Sequence, residues 1–103
     1  MNLNETSFRE VCQQAVRSQY RLYRIWIDQL ANIDIEDPFA LVDSRVSMML
    51  NNINLIIENN NNYRMLSQEN SVLAEALKRE YINLATEYGN RYANNKLDEQ
   101  RHY

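Results

Sequence analysis

The chain of 103 residues contains one glycine, one proline, one cysteine and one histidine. Each scarcity removes a class of answer. With so few Gly and Pro, the turn signals that sandwiches, barrels and Gly-rich phosphate loops depend on are missing. A single Cys, Cys12, cannot form an intramolecular disulfide and fits a reducing compartment. The lone His, His102, lies outside every apolar pattern, so no Ser-His or Cys-His catalytic pair can be built within a folded body. No apolar run approaches the length of a membrane span, and the N-terminus lacks the charged-then-apolar pattern of a signal peptide. These absences predict an intracellular protein, cytoplasmic or nuclear, with no membrane contact. Asn4-Glu5-Thr6 matches a glycosylation acceptor, a pattern without meaning in the absence of secretion. Excess basic charge is also missing: the net charge is −3 and the pI about 5.1. A protein that lives by non-specific nucleic-acid binding needs the opposite balance.

What is present is helical patterning. Apolar residues make up 45% of the chain, enough for one small domain. Residues 1–6 are polar and predict a flexible N-terminus. Ser7, followed by Glu10, has the spacing of a capping box and predicts a helix to about Ile33. Within it Phe8, Val11, Cys12, Ala15, Val16, Leu22, Tyr23, Trp26, Ile27, Leu30 and Ile33 fall on one broad face at helical period. Arg17, Arg21 and Arg24 share the opposite face with Glu10 and Asp28, and Arg24 can pair with Asp28 four residues on. Asn32 to Glu36 interrupts the pattern. Asp37-Pro38 then reads as an N-cap followed by Pro at the first helical position, where its missing N–H costs nothing.

The helix predicted over 38–58 carries two apolar faces. Phe39, Val46 and Ile53 recur every seven residues, interleaved with Val42, Met49 and Ile56, and Leu50 and Ile57 widen that face. Leu41, Met48 and Leu55 form a second line, also every seven, on roughly the other side. Such a helix sits between two partners. One is the first helix; the other is the third segment or a second copy of the chain.

The third segment, Tyr63 to Tyr88, has the spacing of a coiled-coil seam: Tyr63, Leu66, Asn70, Leu73, Leu77, Glu80 or Tyr81, Leu84 and Tyr88, at alternating steps of three and four. The fold expectation is therefore all-α, a helical hairpin or three-helix arrangement with a coiled-coil-like C-terminal helix. How the second and third segments join has two readings. Four consecutive Asn, Asn59 to Asn62, form a turn with Asn62 capping the third helix, or lie in one continuous helix at a propensity cost of roughly 2–3 kcal/mol. Gly89-Asn90 reads as a helix C-terminus with the glycine left-handed, and residues 90–103 as a polar tail or frayed helix. The Leu spacing looks like that of a leucine zipper. No basic region precedes it, so DNA binding is not implied.

Candidate chemistry is sparse. Asn70 on the seam is either a register selector, pairing with its counterpart in one alignment only, or a polar residue on an exposed stretch. Glu80 would be costly inside a seam unless Tyr81 takes the inner place. Arg17, Arg21 and Arg24 with Tyr20 nearby form a short basic stripe able to contact phosphate or an acidic partner, or simply a solvated face balanced by its acids. Glu99 and His102 have Glu-x-x-His spacing, but di-iron bundles use two such pairs and further inward Glu. Cys12 on the apolar face reads as a buried thiol. Without a nucleophile–base pair, metal set or phosphate loop, no enzyme and no cofactor are expected.

The functional expectation is an assembly or adaptor protein that self-associates or binds another helical protein. Its interface would be Tyr63, Leu66, Asn70, Leu73, Leu77, Tyr81, Leu84 and Tyr88. The alternative is a dimeric nucleic-acid-associated regulator using the Arg17, Arg21 and Arg24 face.

Overall fold

A computed structural model describes residues 3–33 and 36–101, with side chains described as far as residue 98. The fold is all-α, with helices α1 (Leu3–Ala31), α2 (Pro38–Glu58), α3 (Asn61–Glu69) and α4 (Ser71–Arg101). The long helices α1, α2 and α4 pack on one another, and short α3 closes one end against α1 and α4. The result is a rod of 53 × 20 × 18 Å.

The Asp37-Pro38 boundary lies where expected, with Pro38 at the first position of α2. The start of α1 does not. Helix begins at Leu3, so Ser7 is an interior residue rather than a cap. Contacts of the first residues hold the extra turn: Glu5 pairs with Arg9 at 3.4 Å, and Asn4 Nδ2 donates to Glu69 Oε1 at 2.6 Å, tying α1 to α3. Phe8 is fully buried there, its ring 5.6 Å from that of Tyr63.

The Asn run is a break, not a continuous helix. Asn59 ends α2, its Nδ2 donating to the Leu55 carbonyl at 2.8 Å. Asn60, rather than Asn62, caps α3, its Oδ1 accepting from the Asn62 N–H at 2.8 Å. Asn side chains supply the local hydrogen bonds that a Gly or Pro turn would otherwise provide. Asn70 makes a second break. Its N–H closes α3 on the Leu66 carbonyl at 2.7 Å, and its Oδ1 accepts from the Leu73 N–H at 3.1 Å as the N-cap of α4. The residue is exposed, so the register-selector reading falls. An amide committed to a helix end cannot also select an alignment in a buried seam.

The C-terminal part differs most from expectation. No described glycine has positive φ, and α4 runs straight through Gly89 to Arg101. The segment read as a tail joins the core through Ala93 and Leu97, at 0% and 4% exposure. Gly89 serves a different purpose: a Cβ there would lie 2.9 Å from Met49 Cε and 3.5 Å from the Tyr23 ring. Side chains from both α1 and α2 press against α4 there, and Tyr23 Oη donates to the Gly89 carbonyl at 2.7 Å. The buried residues of α4 from Leu77 onward, Tyr81, Ala85, Gly89, Ala93 and Leu97, recur every four. Each step of four overshoots a full turn by about 40°, so the buried stripe winds around α4 instead of forming a straight coiled-coil line.

Candidate functional site

Leu66, Leu77 and Tyr81 of the predicted seam are buried at 0%, 3% and 8% exposure, and Tyr63, Leu73 and Leu84 are half-buried against the same core. Tyr88, at 38% exposure, reaches the surface. The helices that cover this line belong to the same chain, so the surface expected to meet another copy is largely the protein's own interior. Tyr81 does take the inner place, and Glu80 is exposed, 3.9 Å from Arg9.

Apolar residues are left uncovered at several places, among them Ile25, Met65 and Val72, and on α2 they form a line. Leu41, Met48 and Leu55 are 41%, 48% and 55% exposed. The other face of α2, comprising Val42, Val46, Met49, Ile53 and Ile57, is buried. Seven residues bring a helix back to nearly the same bearing, so the exposed three form one line along α2. That line borders a groove between α2 and α1 of about 160 Å³, whose walls include Leu22 and Trp26 from α1 and Arg45, Met48 and Asn52 from α2. Leu22, 59% exposed, extends the apolar strip onto α1. The sequence places Leu22 in the core, but the apolar face of α1 is broader than its neighbours cover, and Tyr23 and Ile27 of that face are buried while Leu22 is not. Arg45 lies over the Trp26 ring at 4.7 Å, and Asn52 Nδ2 donates to Gln19 Oε1 at 3.3 Å. These contacts join α1 to α2 along the groove, which Met48 and Leu22 also line. Further along the same α1–α2 flank, Ile56, 39% exposed, lines a shallow depression with Val11 and Ser18.

The other flank of α1 meets α4. A groove of about 250 Å³ there is lined by Gln13, Val16, Arg17, Tyr20, Tyr81, Leu84 and Tyr88. Tyr20 stacks on Tyr88 with ring centroids 5.9 Å apart and meets Tyr92 edge-on at 6.2 Å. The Arg24 guanidinium lies over the Tyr20 ring at 4.8 Å. Asp28 does not pair with Arg24; it accepts the Tyr92 hydroxyl at 2.6 Å. Burial, followed by that hydrogen bond, pushes the Tyr92 hydroxyl up to about 12, so it remains a donor at neutral pH.

Where α2, α3 and α4 meet, Lys78 Nζ bridges Glu58 at 2.9 Å and Glu75 at 3.2 Å, and Glu75 also accepts the Tyr63 hydroxyl. Burial opposes the charge on Lys78, but its hydrogen bonds to the two carboxylates outweigh that and raise its pKa. This cluster latches α3 to its neighbours. Cys12 is buried, and desolvation pushes its thiol up to about 12, which makes it an inert core residue.

Among the described residues no cluster of His, Cys, Asp and Glu could hold a metal, and no helix is long and apolar enough to cross a membrane. The Glu99–His102 pair lies outside the described side chains. Compared with protein-family models, curated proteins and solved structures, the chain finds no match.

Proposed function

We propose that this protein is a small helical assembly module that self-associates through the outer α1–α2 face. The observation that carries the reading is the line of Leu41, Met48 and Leu55, left exposed on a helix whose other side is fully used. Seven-residue spacing is the spacing of a surface that receives another helix. The line is also symmetric about Met48, with a leucine seven residues to either side. A two-fold axis through Met48 sets Leu41 of one copy against Leu55 of the other, the self-complementarity that an isologous interface requires. In the same antiparallel pairing Arg45 faces Asn51, so like charges are not opposed.

The size of the face is that of a small interface, which suits a dimer that dissociates on dilution. Helix α2 is about 30 Å long and the rod is 20 Å across, which gives roughly 600 Å². A standard interface buries about 800 Å² per partner. Light scattering over a range of concentrations tests the proposal. The expected result is twice the chain mass at high concentration, falling on dilution, with Met48→Asp held at the single-chain mass. A chain that stays monomeric at every concentration overturns self-association and leaves a helix of another protein as the occupant of the face.

A further inference from the structure

The α1–α4 groove lies on the opposite flank of α1 and differs in chemistry. Val16, Tyr81 and Leu84 make its apolar lining, and Arg17, Tyr20 and Tyr88 make its rim. With a volume of about 250 Å³, it has room for one large side chain rather than for a helix. Its rim is preformed. Tyr20 is held by Tyr88 on one side, Tyr92 at its edge and the Arg24 guanidinium over its face, so little ordering remains to be done on binding.

Charge singles out this place in an otherwise acidic protein. Arg17, Arg21 and Arg24 are exposed, and among the described residues none of them forms an ion pair. The nearby acids make their contacts with other groups. Asp28 accepts from Tyr92, and Glu87 pairs with Arg91 at 2.8 Å. Glu10 lies two turns before Arg17, at the far end of the face. Arg17 thus lines an apolar pocket and Arg24 lies over its Tyr20 rim, neither of them held in an ion pair among the described residues.

We propose that the α1–α4 groove docks an acidic peptide, seating one apolar side chain against Val16, Tyr81 and Leu84 and its carboxylates against Arg17 and Arg24. Arg suits this role because its planar fork meets a carboxylate through two hydrogen bonds. A nucleic acid fits less well. The three arginines span only about 10 Å of helix, too short a run to track a nucleic-acid backbone. A single strand also needs free aromatic faces for its bases, whereas Tyr20 already has Tyr88 and Arg24 against its ring.

The test is fluorescence polarisation of the full chain with a labelled peptide of Asp and Glu residues around one Phe. The comparison probes are the same peptide with Lys in place of the acids and a single-stranded oligonucleotide. The acidic peptide is expected to bind at low salt and weaken as salt rises, while the Lys peptide does not bind. The variant Arg17→Gln with Arg24→Gln should weaken binding about tenfold, with an unchanged circular dichroism spectrum because both side chains are exposed. Should that pair of substitutions perturb the fold, Arg17→Glu alone carries the same expectation. No binding of the acidic peptide at low salt, binding indifferent to both variants, or an oligonucleotide that binds more tightly than the peptide each overturns the proposal.

Discussion

Two lines of apolar residues in this chain share the spacing that joins helices, and they have opposite fates. The line from Leu66 to Leu84 is the longer and more leucine-rich. It is covered by α1 and α2 of its own chain, with Leu66 and Leu77 at 0% and 3% exposure. The line Leu41–Met48–Leu55 is shorter and shares its helix with a stronger face, yet it stays 41–55% exposed. Spacing identifies a surface that needs a helix against it. Connectivity decides whether that helix comes from the same chain. The two Asn breaks fold α4 back along α1 and α2, so the longer seam is satisfied internally and α2 has no fourth long helix for its outer side.

The comparison is sharpened most by truncating one residue from each line. Leu77→Ala should cost about 2–5 kcal/mol of folding stability through lost burial and the cavity left behind. In a domain of this size that lowers the melting temperature by about 10 °C or more. Met48→Ala, on the exposed line, should change monomer stability by under about 1 kcal/mol. Urea denaturation of the two variants side by side reads the difference. Equal losses would mean that both lines are core.

Next in size is the close approach at Gly89. Gly89→Leu places a branched side chain where even a Cβ is 2.9 Å from Met49 Cε, and should cost about 1–3 kcal/mol by overpacking. The same substitution would be mild if the chain beyond Gly89 were a free tail, so its thermal unfolding checks the assignment of residues 90–98 to the bundle.

A smaller effect belongs to the break that folds α4 back. Asn70→Ala removes the side-chain acceptor for the Leu73 N–H and should cost about 1 kcal/mol, measurable as a shift in the urea midpoint.

The smallest belongs to the exposed rim of the α3 latch. The Tyr63 hydroxyl holds the Glu75 carboxyl below its ordinary value, and Lys78 does the same for Glu58. Carboxylates depressed in the folded state stabilise it above their unfolded pKa, about 4.3 for Glu. That contribution is lost as pH falls through the folded values. Urea midpoints should therefore drop on acidification below that point, and the drop should be shallower in Lys78→Met, which lacks the cation for both pairs. Identical slopes in the two proteins would deny the latch a role.

Much of the fold was legible in residue spacing. The Pro38 boundary, the inward Tyr81, the inert Cys12 and the buried side of α2, apart from Ile56, which is 39% exposed, all follow from period and local chemistry. The rest depends on tertiary contacts that no local pattern carries. Gly89 resembles a helix terminator in isolation; only the arrival of Tyr23 and Met49 from other helices explains why a glycine is needed there. A signal was present in the small residues Ala85, Gly89 and Ala93 spaced by four, which mark close helix packing, and Leu97 continues it into the segment read as a tail. Ser7 has the local signature of a helix start, but the Asn4–Glu69 contact, which holds the earlier turn, joins residues far apart in sequence. The exposed line on α2 was visible as a second apolar face. That it would remain uncovered, and that the Leu66–Leu84 seam would not, depends on the order in which the helices return.

The central claim is that the Leu41–Met48–Leu55 line meets its own copy around Met48, and site-directed cross-linking tests it most directly. Cys12 is buried and inert, so a thiol introduced by Met48→Cys is the reactive one. Under mild oxidation the proposed two-fold contact predicts a covalent dimer from Met48→Cys and none from Tyr88→Cys on the opposite flank. No cross-link from Met48→Cys, or equal cross-linking from both positions, would contradict the account.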